Sequence, residues 1–74
     1  MGRDRAHRLW RLRKLHDYVD AELNDREEGG GTEVQFFYNG ELTYARHLPT
    51  RALAAAEASA KRAELERDGW MFHW

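Results

Sequence analysis

The chain has 74 residues, no cysteine and one proline, which leaves room for one small domain and excludes disulfides, thiolate metal sites and a cysteine nucleophile together. Twelve Lys+Arg against thirteen Asp+Glu give a formal charge of -1, so no bulk positive field marks a nucleic-acid binder. At 42% hydrophobic and 34% charged residues, the composition is that of a globular protein rather than a disordered one.

Residues 1–7 are a basic, polar start that is expected to be disordered. Charge is blocked along the first half: residues 1–16 carry six basic groups and one acid, and residues 17–33 carry seven acids and one base. Two readings of residues 8–23 compete. Leu9, Leu12, Leu15, Val19 and Leu23 recur at spacings of three and four, as on one face of a helix. That helix would place arginines at its positive end and acids at its negative end, against the macrodipole. A hairpin instead alternates Trp10 and Leu12 with Arg11 and Arg13, and Val19, Ala21 and Leu23 with Asp20 and Glu22. With a four-residue turn, Lys14 faces Val19, Leu12 faces Ala21 and Trp10 faces Leu23, while Arg13 faces Asp20 and Arg11 faces Glu22. The hairpin explains why the two charge blocks are neighbours and is the favoured reading, although its turn, Leu15-His16-Asp17-Tyr18, lacks glycine.

Residues 24–32 contain Gly29, Gly30 and Gly31 and are expected to form a flexible loop. Next, the segments 33–38 and 41–48 flank Asn39-Gly40, the strongest short hairpin signal because both residues tolerate positive φ. A two-residue turn pairs Tyr38 with Glu41, Phe37 with Leu42, Phe36 with Thr43, Gln35 with Tyr44 and Glu33 with Arg46. Pro49 and Thr50 open a helix from about 51 to 68, with Thr50 as N-cap and Gly69 as the left-handed residue that ends it. A Schellman motif there sets Trp70 against Leu65. Glu57 with Lys61, and Arg62 with Glu66, are four-residue pairs along this helix. The alanines at 52, 56, 60 and 63, with Leu53 beside them, form a smooth strip that suits close packing on a sheet.

The expected architecture is one α+β domain over residues 1–74, an antiparallel sheet of about four strands in two hairpins packed on one C-terminal helix. An α-β-β-α order with a long first helix is the alternative. The expected core is Trp10, Leu12, Val19, Leu23, Phe37, Leu42, Leu53, Leu65 and Trp70. The order Trp10-Arg11-Leu12-Arg13-Lys14, then Asn39-Gly40-Glu41-Leu42, then an Ala- and Glu-rich helix closing in Gly69-Trp70 resembles a group of small uncharacterised bacterial proteins. In those the W-x-L-x-K segment looks like an edge strand. The resemblance implies no catalytic residue.

Candidate chemistry is sparse. His7, His16, His47 and His73 show no paired metal-ligand spacing, so no metal or cofactor is expected. No Ser or Thr lies in a nucleophile-elbow context, and the glycine run has no following Lys-Ser/Thr to cradle a phosphate. No catalytic activity is therefore expected. No stretch is apolar enough for a membrane span or a signal core, which makes a cytoplasmic protein the expectation. Three Trp, three Phe and three Tyr exceed what one helix can cover on one sheet face. They motivate a protein-interaction module that pairs with itself as a homodimer or with another protein, with Phe36, Tyr38, Phe72 and Trp74 as the interaction surface. The alternative is nucleic-acid binding, with Arg8, Arg11, Arg13 and Lys14 on phosphates and sheet aromatics stacking bases.

Overall fold

A computed structural model describes residues 5–25 and 30–72. Two charge-complementary segments form the first hairpin, β1 (Arg5–Lys14) and β2 (Asp17–Asp25), and the glycine-turned segments form the second, β3 (Thr32–Tyr38) and β4 (Glu41–Leu48). They are followed by α1 (Arg51–Arg67) and a short β5 (Met71–Phe72). The sheet is wholly antiparallel in the order β4-β3-β2-β1-β5, with the helix packed across one face. The hairpin reading of residues 8–23 is therefore the observed one. The sheet has one strand more than expected, because the apolar segment after Trp70 pairs back onto β1 with Phe72 opposite Leu12. Strand β1 begins at Arg5, inside the segment 1–7 for which disorder was expected, and residues 1–4 lie outside the described residues. Within the loop expected over 24–32, Asn24 and Asp25 belong to β2 and Thr32 to β3, and residues 26–29 lie outside the described residues.

The first turn is tighter than its sequence suggested. Lys14 is opposite Asp17, leaving only Leu15 and His16 between the strands. Arg11 consequently faces Asp20 and Leu12 faces Val19, a register two residues from the four-residue turn. A shift of two preserves the faces, which is why the predicted apolar and ionic sides survive. Leu9 is then an extra residue in β1, and this bulge sets Arg8 opposite Glu22. The tight turn is reached by Leu15 at φ 57, a left-handed conformation that costs a branched L-residue roughly 1 kcal/mol or more. Leu15 is 84% exposed and contributes little packing in return. Leu15→Asn, which tolerates this conformation, should accordingly raise stability by about 0.5–1 kcal/mol, read as a higher urea midpoint at unchanged slope.

At the second hairpin Asn39 (φ 51) and Gly40 (φ 86) supply the positive backbone angles of a two-residue turn. Asn39 also ties the turn to β2: its Oδ1 accepts from the Tyr18 amide at 2.9 Å, and its amide donates to the Tyr18 carbonyl at 2.8 Å. The first two pairs follow the expected register, and Thr43 then bulges out, so that Phe36 faces Tyr44 rather than Thr43 and Val34 faces Arg46. That one residue decides which aromatics meet the helix. Phe36 and Tyr44 stack with centroids 5.5 Å apart on the helix side, with Trp10 6.1 Å from Phe36.

The buried layer comprises Trp10, Leu12, Val19, Ala21, Leu23, Val34, Phe36 and Leu48 from the sheet and Ala54 and Ala58 from the helix. Of the expected core, Trp10, Leu12, Val19 and Leu23 are buried, and Leu65 and Trp70 pack against its margin. Phe37 and its partner Leu42 lie instead on the opposite face, where Phe37 also faces Asp20, and Leu53 points to solvent. The alanines at 52, 56, 60 and 63 are exposed, because Leu65 and the docking of Trp70 turn the 54/58 stripe toward the sheet.

The helix ends follow the sequence closely. Thr50 Oγ1 accepts from the Leu53 amide at 3.1 Å. Gly69 (φ 98) donates to the Glu66 carbonyl at 3.1 Å and Trp70 to the Leu65 carbonyl at 3.0 Å, the two bonds of a Schellman motif. Lys14 Nζ donates to the Asp68 carbonyl at 2.8 Å, placing a cation at the negative end of α1 and fastening the helix to the end of β1. At the other end Arg51 Nη1 donates to Asp25 at 2.7 and 2.6 Å. Arg62 pairs with Glu66 at 2.9 Å as the spacing predicted. Lys61, by contrast, pairs with Glu64, since Glu57 is taken by β4.

Candidate interaction surface

The helix crosses the sheet closely where Ala54 and Ala58 are fully buried, and beyond that contact a groove opens between α1 and β4. Its volume is about 460 Å³. Phe36 and the stacked Tyr44 form an aromatic floor, Thr43 and Arg46 the β4 rim, and Glu57, Lys61 and Glu64 the helix rim. The Glu57 carboxylate bridges the two elements: the Tyr44 hydroxyl donates to Oε2 at 2.8 Å and Arg46 Nη1 to Oε1 at 2.9 Å. The groove thus has an apolar base with ionic walls.

Beside the groove runs the free edge of the sheet. β4 is the terminal strand, and all seven residues from 41 to 47 are exposed. In a two-residue hairpin the pair closing the turn, here Tyr38 and Glu41, exchanges backbone hydrogen bonds, and the bonding alternates from there. With Thr43 bulged, Glu41, Tyr44, Arg46 and Leu48 bond inward to β3. The amides and carbonyls of Leu42, Ala45 and His47 therefore face outward, unpaired within the sheet.

The face opposite the helix is not the bare aromatic wall that composition suggested. Tyr18 and Phe37 lie there, but its centre is ionic. Asp20, only 6% exposed, accepts from Arg11 Nε at 2.6 Å and Arg11 Nη2 at 3.0 Å, with Arg8 Nη1 at 3.8 Å. Arg11 also lies over the Tyr18 ring, its Cζ 4.4 Å from the centroid. Its hydrogen bond to Asp20, opposed by burial and helped by the charges of Asp20 and Tyr18, holds the guanidinium above its already high usual pKa.

The predicted surface residues are thereby dispersed. Phe36 is beneath the helix at 6% exposure, so it forms the groove floor and not a free face. Tyr38 is half-exposed on the helix side, its ring edge-on to Trp70 at 6.4 Å. Interaction with the Asp17 carboxylate, reinforced by desolvation, raises the phenol pKa above the usual value. Phe72 is exposed on β5 with the Arg62 guanidinium 4.9 Å above its ring, and Trp74 lies outside the described residues. Among the proposed phosphate contacts, Arg11 is committed to Asp20 and Lys14 to the helix terminus. Arg13 Nε donates to the Leu15 carbonyl at 3.3 Å, and Arg8 stands by Asp20. Arg8, Arg11 and Arg13 thus share the face opposite the helix, two of them at Asp20, while Lys14 is drawn away to the helix terminus.

Sequence reasoning missed Arg46, Glu57, Thr43 and Tyr44 as neighbours. Only the bulge brings Arg46 to the helix side opposite Val34, and no residue type marks a one-residue bulge in advance. Among the described residues no group of three His, Cys, Asp or Glu is placed to hold a metal ion, and no helix is long and apolar enough to cross a membrane. No protein-family model matches the chain, and neither a curated protein nor a solved structure shows significant similarity to it.

Proposed function

We propose that the chain is a non-enzymatic protein-interaction module that works through the β4 edge and the adjoining groove, and that it associates with itself. One observation carries the reading: a terminal strand with seven successive exposed residues lies beside a groove with an aromatic floor. An edge of this kind offers main-chain bonds for affinity and a pocket for selectivity, the two ingredients of strand addition. Small size adds a motive, because a domain of this length buries a modest share of its surface and gains stability from association. Nucleic-acid binding draws less support, since the arginine and lysine needed for phosphates are held by Asp20 and the helix terminus.

Sedimentation velocity over a dilution series from high to low micromolar tests the reading. The sedimentation coefficient should fall with dilution from that of a dimer to that of a monomer. A constant monomer value throughout defeats self-association.

A further inference from the structure

We infer that the partner on the β4 edge is a second copy of β4, paired antiparallel about a two-fold axis between Thr43 and Tyr44, with Glu41 of each copy opposite Arg46 of the other. The inference rests on the interaction reading above and fixes its partner and register. Three observations carry it.

The first is hydrogen-bond parity. In this register Leu42 faces Ala45 of the second copy, and both present outward amides and carbonyls, so the two exchange main-chain bonds on each side of the axis. Thr43 and Tyr44, which flank the axis, belong to the bulge in both strands, so the extra residue of one meets the extra residue of the other and the register holds on both sides.

The second is facing. Opposite residues of an antiparallel pair must project to the same side. Glu41, opposite Tyr38 and through it Val19, belongs to the helix side, as does Arg46, which bonds Glu57 of α1; Leu42 and Ala45 both belong to the other side. Every position from 41 to 46 therefore matches. A register centred on Arg46 also matches faces over residues 44 to 48, but it sets Arg46 against its own copy, a like-charge pair that opposes association.

The third is charge. Glu41 has no ion-pair partner among the described residues. Arg46 spends one Nη on Glu57, and its planar guanidinium retains donors for a second carboxylate. Two such pairs, related by the axis, would join two copies into a ten-stranded sheet with both helices on one face. Among the described residues the other edge fits a second copy less well: β5 covers β1 at Leu12 and Arg13, and the neighbouring stretch carries Arg8 and Arg11, whose like charges would oppose each other.

Charge reversal tests the register. Glu41→Arg and Arg46→Glu should each weaken the homodimer about tenfold to hundredfold, because each turns two attractions into two repulsions. An equimolar mixture of the two variants should form a heterodimer, resolved by native mass spectrometry, since every facing pair is again opposite in sign. Ala45→Pro reads the same edge without touching Arg46 or Glu57. It removes an amide that faces away from β3, so it should leave the circular dichroism spectrum intact and abolish the dimer. If the wild type is dimeric and all three single variants remain so, the register is overturned while self-association stands. If the wild type itself is monomeric at high micromolar concentration, both fail.

Discussion

Gly31→Ala is expected to cost about 2–4 kcal/mol, a large share of the roughly 4–11 kcal/mol that a domain of this length possesses. Two independent penalties combine. Gly31 has φ 84, where an L-residue is strained by roughly 1–2 kcal/mol. A Cβ built there would also lie 2.5 Å from His47 Nε2 and 2.7 Å from the Leu48 carbonyl oxygen. The imidazole can swing aside, giving up its 3.3 Å contact with the Gly30 carbonyl. The carbonyl cannot move as easily, because Leu48 is opposite Thr32 in the β3–β4 ladder and its side chain is in the core. His47→Ala in the same chain should consequently restore only the smaller part of the loss. Chemical denaturation of the single and double variants measures both terms, and a Gly31→Ala chain within about 0.5 kcal/mol of the parent would show that the strand end yields freely.

The second large effect is expected at the ionic centre of the open face. Arg11→Met leaves the Asp20 carboxylate buried with Arg8 alone, at 3.8 Å, and should cost about 2–3 kcal/mol. Asp20→Leu should cost less, about 1–2 kcal/mol, because the longer Arg11 can reach water along its stem and keep its contact with Tyr18. The chain carrying both changes should be less damaged than the sum of the two, since no charge is then left buried without its partner. Urea unfolding of the four chains closes the cycle. Strict additivity would mean that the 2.6 Å contact contributes no coupling energy.

The fold was legible wherever a residue's own backbone chemistry decides the outcome. Thr50 caps, Gly69 closes the helix with Trp70 behind it, and Asn39-Gly40 turns, because each position demands an amide acceptor or a positive φ that few residues supply. The charge blocks were equally telling, since Arg11 and Asp20 lie on the same face in either register. What escaped were the features set by collective balance. Leu15 is a poor turn residue, and the ladder on either side outweighs its strain. The bulges at Leu9 and Thr43 insert one residue each without any compositional mark, and the second reassigns Tyr44 and Arg46. Phe36-Phe37-Tyr38 is apolar at both parities, so its inward member could not be read from alternation. With alanine at so many helix positions, the docked stripe is set by Leu65 and Trp70. The candidate groove depended on these same features, and so remained hidden until the sheet was seen.

The strand order has a kinetic meaning as well. β1 to β4 lie side by side in the order in which they are made, so each pairing closes a short segment of chain at little entropic expense. Among the described residues the distant closure falls to the helix and β5, which return across the sheet to Lys14 and Leu12. Wiring of this kind lets the four neighbouring strands pair locally before the returning segment closes the sheet.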